Sequence, residues 1–433
     1  MRYHPVVDRF PVPLPLDPLS AALLVAALVA AAFLTARRPS YGLVALVLVT
    51  PVAFAHQLFG TTLSLPKAVL AGALLGLCTY RGAWQLLRRR PAPLLLGALG
   101  LIVVVTALTA YDAAFRAPVA RETLKSLEYG AFFVAAFLCY ALDPNDRAVC
   151  GAVAIAAIGV GLSALAQEFV GAPSGLYIGQ AIVPRIAGLL EGPNQLSAYA
   201  EIAAATLGAW AVARRSRLGD AALAIVIFAD VLTFSRAGWI GLALVGALLW
   251  LLYGNAARRG LRAALAGLLA GAAAAIGWAI YARTPSVLRA SLEGSSYAGG
   301  VGNRSELWRA AWRMWRAHPL LGVGAGNFEL VLPAYGLYGV RTHANSWYLQ
   351  SLAEGGLALF AATLGLLYAI ALAFGPLRAE RLRTASPWIV AALGATLALA
   401  VHQTVDYLVF YPKVGGAWWI LLGIAAAAVA REA

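Results

Sequence analysis

The sequence predicts an all-α, polytopic membrane protein, and three observations carry that reading. Apolar residues make up 61% of the 433-residue chain and charged residues only 12%, where soluble domains run at about 45–50% and about 25%. Apolar runs of membrane length recur along almost the whole sequence. Arginines gather at alternate turns between those runs. The whole length, 1–433, reads as a single transmembrane domain.

A span needs about 20 mainly apolar residues. Runs of that kind lie at 19–36, 41–58, 65–80, 93–110, 123–141, 147–170, 195–213, 219–234, 237–253, 261–281, 346–373, 386–409 and 414–430. The third is short, and the eighth and ninth are closely joined. The expected number of spans is therefore about 12, or 13 at most. The Pro-rich stretch FPVPLPLDP leads directly into the first run, and no cleavable signal peptide is expected from it.

Orientation follows the Lys/Arg bias of short loops. Arg37 and Arg38, Arg81 with Arg88 to Arg90, Arg214 with Arg215 and Arg217, Arg258 with Arg259 and Arg262, and Arg378 with Arg381 and Arg383 fall at alternate turns. Those turns are expected in the cytoplasm. The loops at 111–122, 171–194, 234–237, 282–345 and 410–413 are then external. The large loop, 282–345, has structure of its own. Its Gly/Ser-rich part, 293–303, reads as flexible. RSELWRAAWRMWRAH reads as an amphipathic helix capped by Asn303 or Ser305. Trp308, Trp312 and Trp315 recur at i, i+4 and i+7 on one face, with Arg309, Arg313 and Arg316 on a neighbouring stripe. Indoles at the headgroups beside guanidiniums facing phosphate or water describe an interfacial helix.

The net charge of +14 does not point to nucleic acid, because no basic, aromatic-laced globular segment is present to bind it. Instead, the external loops hold Arg116, Arg121, Arg185, Arg236, Arg283, Arg289, Arg304, Arg309, Arg313, Arg316 and Arg341. Long loops translocate whatever their charge, but Arg185 and Arg236 lie close to spans. An ionisable group there is costly and marks function. Guanidinium offers planar paired donors that suit phosphate, and it stays charged. Two or three arginines from different loops would therefore receive a pyrophosphate. The competing reading is headgroup contact, or a structural pair with Glu191, Glu201 or Asp406.

His343 is one of five histidines and stands just before a span. A neutral imidazole accepts the proton of an attacking hydroxyl near neutral pH. Asn345 is two residues on, and Gln350 and Glu354 follow near one helical face, placed to position the ring or a sugar. The plainer alternative is an interfacial histidine held by hydrogen bonds. His318, before Pro319, reads as a helix-end cap, and His56 and His402 as packing positions. In RIAGLLEGPNQLSAYAE (185–201), Pro193 and Asn194 mark either a bend lining a cavity or an ordinary helix start. A cavity there would receive Arg185 and Asn194. In FADVLTFSRAGWIG (228–241), Asp230 lies inside an apolar run and Arg236 at its end. The three cysteines show no disulfide or ligand spacing. No HExxH, Walker or DxD pattern occurs. Chemistry without a metal or other cofactor is expected, with arginines stabilising charge.

Five stretches, RIAGLLEGPNQLSAYAE, TFSRAGWIG, NRSELWRAAW, HPLLGVGAGNF and THANSWYLQSLAEGG, occur in this order. Together they resemble the O-antigen ligase family, within the broader O-antigen polymerase and ligase-like membrane proteins. The last stretch is the most specific. The resemblance implies a metal-independent, inverting, GT-C-like glycosyltransferase of the bacterial inner membrane, with its large loop and active site in the periplasm. It implies a donor of O antigen on undecaprenyl pyrophosphate and an acceptor sugar on lipid A–core. It implies that His343 acts at the acceptor and that Arg185, Arg236 and Arg304 hold the pyrophosphate. Asp406 sits where an acidic residue late in the chain is expected. The same broad group includes O-antigen polymerases and protein O-oligosaccharyltransferases. A lipid-linked sugar transporter is the alternative of another class; transporters bind near the midplane, whereas the polar residues here cluster toward one face.

Overall fold

The computed structural model describes residues 16–58, 61–171, 174–178, 181–214, 216–254, 301–340, 342–375 and 379–432, with isolated positions between 262 and 271. Most of the expected span at 261–281, most of the Gly/Ser-rich stretch, and Arg215, Arg258, Arg259, Arg283, Arg289, Arg341 and Arg378 lie outside the described residues.

The longer helices are α1 (Pro18–Arg37), α2 (Pro39–Val49), α3 (Leu65–Leu77), α4 (Ala92–Leu108), α5 (Arg116–Leu142), α6 (Asp146–Val170), α7 (Pro193–Ala213), α8 (Arg217–Val231), α9 (Arg236–Tyr253), α10 (Val301–Ala317), α11 (Trp347–Phe374), α12 (Pro387–His402) and α13 (Pro412–Glu432). Two antiparallel hairpins interrupt them. One pairs β1 (Ala55–Leu58) with β2 (Thr61–Ser64), and the other pairs β3 (Ser174–Ile178) with β4 (Ala181–Arg185).

Among the described residues, seven helices are long and apolar enough to cross a membrane: α1, α5, α6, α7, α9, α11 and α13. The protein is thus a helical, multi-pass membrane protein. The twelve or thirteen spans expected are not reached among these residues, and one of them, 261–281, lies mostly outside the described part. Helices α2, α3, α4 and α12 are apolar but shorter. α2 covers about 16 Å at ~1.5 Å per residue, roughly half of a hydrocarbon core ~30 Å thick. The expected span 41–58 stops at Val49, because Pro51 has no N–H to extend the ladder, and the chain turns into β1. The expected span 386–409 likewise ends at His402, and 403–411 runs without long helix.

α7 and α13 are the most enclosed of the spans. α7 is rich in alanine, and its side chains from Gln195 to Ala211 are buried. α13 seats against α5 through its glycines: a Cβ at Gly423 would lie 2.6 Å from the Phe133 carbonyl oxygen.

Contacts between turns sort into two sets. Ser40 bonds Asp143, Trp388 and Tyr140 bond Asp146, Arg214 faces Asp146 at 3.6 Å, and Ser386 bonds Glu432. The other set joins Thr109, Phe115, Arg185, Asn194, Thr233, Ala325, Asn327 and Asp406. The first set includes Ser40, Arg214 and Ser386, at or beside turns whose arginines suggest the cytoplasm, and the second lies at the loops expected outside.

α10 packs beside α11. Leu307, Ala310, Ala311 and Met314 are buried against Val323, Phe328, Leu332 and Ala344. Arg309, Arg313 and Arg316 are exposed, as is Trp312, whose ring lies 4.5 Å from that of Trp315. The helix is described from Val301 onward, so Asn303 and Ser305 lie inside it and do not cap it, and Arg304 is in its first turn.

The return leg from α10 locks into a break in α11. Gly356 has φ 59° and ψ −156°, which frees backbone groups on either side. The Val323 and Gly324 amides donate to the Ala353 and Glu354 carbonyls, and the Leu357 and Ala358 amides to those of Pro319 and Leu320. Gly322 (φ 64°) and Gly356 meet backbone at the crossing, where no Cβ fits. HPLLGVGAGNF and SLAEGG are therefore two halves of one joint.

Candidate active site

The site is built on 403–411, between α12 and α13. The Gln403 and Asp406 carbonyls both accept the Trp347 amide at 2.9 Å, tying this segment to the start of α11. The Asp406 side chain is buried, with 6% exposed. Its Oδ1 accepts the Tyr407 amide, and its Oδ2 accepts the Asn194 side-chain amide at 2.5 Å. Arg304 of α10 faces the same Oδ2 at 3.9 Å, and its Nε is buried without a hydrogen-bond partner.

Asn194 stands in the first turn of α7, which Pro193 opens with its φ pre-set for helix. Its Oδ1 accepts from Arg185 at 2.8 Å. Arg185 ends β4 and is 7% exposed, and its Nε donates to the Thr233 carbonyl at 2.7 Å. Thr233 belongs to the turn between α8 and α9. Phe234 takes a positive φ of 53° there, Ser235 precedes α9, and Arg236 is the first residue of α9. Arg236 is partly buried. Arg185, Asn194, Asp406 and Arg304 thus form one connected set, and Arg236 is carried by the turn that binds Arg185.

His343 approaches the same segment. Its ring lies 4.1 Å from Phe410, 5.4 Å from Tyr407 and 6.4 Å from Tyr411, between centroids. Gln350 on α11 accepts the Ala344 amide at 2.7 Å, anchoring the backbone beside His343. Asn345 has φ 49°, a left-handed conformation that Asn tolerates better than most. It turns the chain into α11, where Ser346 accepts the Leu349 amide. Glu354 serves the joint: its Oε1 accepts the Phe328 amide at 2.9 Å. Burial, and secondarily the Lys125 ammonium, push the His343 imidazole down to about 3. The ring is neutral at physiological pH and free to accept a proton.

Residues that sequence reasoning did not single out complete the surroundings. Lys125 of α5 is held by both carboxylate oxygens of Glu122 at 2.8 Å, and its ammonium sits 3.5 Å from the Phe410 ring centroid. A cavity of about 80 Å³ lies there, lined by Glu122, Lys125, Glu354, Tyr407, Phe410 and Trp418. At about 10–15 Å³ per water, it has room for several. Rarity was the available signal. The chain has three lysines, Lys67, Lys125 and Lys413, and each pairs with a glutamate, Glu128, Glu122 and Glu191 respectively. Glu191 and Glu201, weighed above as arginine partners, bind Lys413 and His402 respectively. Among the described residues, no group of three or more His, Cys, Asp or Glu is arranged to hold a metal ion.

The fold and site define a helical multi-pass membrane protein in which a bonded set of polar side chains ends at Asp406, next in sequence to Tyr407, on which a neutral histidine packs. Residues 221–364 match the family model described as Wzy_C, O-antigen ligase, so that segment is similar to the O-antigen ligase family. No match to a curated protein was found. The matched segment runs from α8 past the break in α11 and contains Arg236, Arg304 and His343; Arg185, Asn194 and Asp406 lie outside it. The match supports an enzyme of the general O-antigen ligase and polymerase type.

Proposed function

We propose that this protein is an O-antigen ligase, a single transmembrane glycosyltransferase domain working at the periplasmic face of the bacterial inner membrane. It transfers O antigen from undecaprenyl pyrophosphate to a sugar hydroxyl of lipid A–core. The observation that carries this reading is the bonded set Arg185–Asn194–Asp406–Arg304, one residue away from Tyr407, against which His343 packs.

In this mechanism the acceptor hydroxyl gives its proton to the neutral His343 imidazole. The oxygen attacks the anomeric carbon from the face opposite the leaving group, forming the new glycosidic bond with inversion. The bond from that carbon to the pyrophosphate oxygen breaks, and undecaprenyl pyrophosphate leaves with the electron pair. Arg185, Arg236 and Arg304 stabilise the charge that grows on it. Preorganised donors of this kind contribute about 2.7–4 kcal/mol each, and general-base help about 10²–10⁴-fold. An imidazole held near 3 is a weak base before substrate binds. The anionic pyrophosphate raises its proton affinity as it arrives, since a nearby negative charge favours the imidazolium. No cofactor is assigned. The exposed face of α10, with Trp312, Arg309, Arg313 and Arg316, lies along the headgroups and admits both lipid-linked substrates.

The test is in vitro transfer by the purified protein with lipid-linked O antigen, offered lipid A–core or a second lipid-linked repeat, with and without EDTA. The reading expects product on lipid A–core without added energy and none from His343→Ala or Arg236→Ala. Product on the second lipid-linked repeat alone makes the protein a polymerase. Full transfer by His343→Ala removes the assigned role of that residue.

A further inference from the structure

We propose that Glu201 and His402 are positioning residues that hold the Arg236 turn, through Ser235, in the geometry that receives the lipid diphosphate donor. This rests on the ligase reading above. Glu201, in the middle of α7, is 0% exposed, and His402, the last residue of α12, is 1% exposed. His402 Nδ1 lies 2.7 Å from Glu201 Oε1, and on the other side of the ring Nε2 lies 3.4 Å from Ser235 Oγ. A ring donating from Nδ1 to the carboxylate leaves Nε2 as acceptor for the serine hydroxyl. Groups so sealed touch no substrate, so their influence passes through Ser235.

Ser235 is well placed to transmit it. Its amide donates to Thr233 Oγ1, its carbonyl accepts the Trp239 amide as the first bond of α9, and Arg236 follows directly. The Thr233 carbonyl in the same turn accepts Arg185 Nε. One buried pair therefore supports the turn that serves two of the three arginines. That turn also holds Phe234 at φ 53°, a conformation that persists only where its surroundings over-determine it.

The packing is cut to admit the carboxylate. A Cβ at Gly241 would collide with the Glu201 carboxylate, and one at Gly238 would collide with Ser197 and lie 3.3 Å from Asp230 Oδ1. The two glycines of SRAGWIG thus bring α9 close to α7 above Glu201. A buried ionisable pair adds little net stability compared with apolar residues of the same shape. Here its distinctive product is the fixed orientation of one serine.

The experiment uses the full-length protein in lipid nanodiscs, with undecaprenyl pyrophosphate as the binding probe and steady-state transfer as the second readout. Ser235→Ala, which strands no charge, and Glu201→Gln are compared with Arg236→Ala and with Ser235→Ala combined with Arg236→Ala. We expect Ser235→Ala and Glu201→Gln each to weaken probe binding and raise donor KM about tenfold, the scale of one lost hydrogen bond, with acceptor KM unchanged. The double variant should lose less than the product of the two single losses, because Ser235→Ala acts largely through Arg236. Native probe affinity in Ser235→Ala and Glu201→Gln, with Arg236→Ala impaired, overturns the brace even if both variants melt earlier. Native affinity in Arg236→Ala overturns the donor assignment itself.

Discussion

Arg185 and Thr233 lie 48 residues apart in sequence, and the Nε of the first donates to the carbonyl of the second at 2.7 Å. That bond fastens the end of β4 to the turn before α9, while the same guanidinium reaches Asn194. A lysine at 185 keeps the charge but loses the planar fork that serves both acceptors. Arg185→Lys is therefore expected to lower kcat/KM for transfer about 10²–10³-fold, the range for losing one preorganised donor. Steady-state kinetics of the purified variant check this; near-native transfer would mean that charge alone suffices at this position.

Asp406 presents one oxygen to Asn194 and, at a longer distance, to Arg304, and the other to its own chain at Tyr407. Asp406→Asn keeps the size and removes the charge and one acceptor. We expect kcat to fall at least about tenfold, equivalent to ~1.4 kcal/mol, with expression and membrane insertion retained. Kinetics with saturating donor measure it.

The His343 ring is held at about 3, mainly by burial and then by Lys125, so its proton-accepting form prevails far below the ordinary histidine value of about 6.5. The sign follows: lowering the pH from 8 to 5 protonates an ordinary histidine and leaves this one neutral. The limb of kcat/KM that belongs to His343 should thus be flat over that window. A loss centred near 6.5 that vanishes in His343→Gln residual activity would contradict the low value.

Glycines at the joint are expected to differ from glycines on open faces. Gly356→Ala forces a side chain into φ 59° against the Leu320 backbone. Such a position costs about 1–3 kcal/mol, and the variant should melt earlier in detergent by intrinsic fluorescence. Gly97→Ala, whose Cβ meets nothing within 4 Å, should stay within about 0.5 kcal/mol of the parent.

Legibility differed by level. Hydropathy located most helices, since long apolar runs such as 347–374 and 412–432 carry their own signal. It overran at Pro51 and after His402, where window averages hide a single residue that lacks an N–H or a short polar turn. Arg185, Arg236, Arg304 and His343 stood out because charge and imidazole are rare in apolar sequence. Asn194 was named for its bend, and its bonding to both Arg185 and Asp406 emerges only in three dimensions. Lys125 falls inside the apolar run 123–141, where nothing local marks its partner: it packs on Phe410, which is 285 residues further along the chain. Glu354 lines the cavity with Tyr407 and Phe410, and only the fold shows that its carboxylate also holds the Phe328 amide. The Glu201–His402 pair joins α7 to α12 and has no local pattern at all.

The segment 403–411 supplies the Asp406 carboxylate, the rings that support His343, and the carbonyls that receive the Trp347 amide. All three arginines and the histidine are translated before it. Arg304 and His343 thus wait on a later segment for their partners, Asp406 for the one and Tyr407 with Phe410 for the other, and Arg185 reaches Asp406 through Asn194.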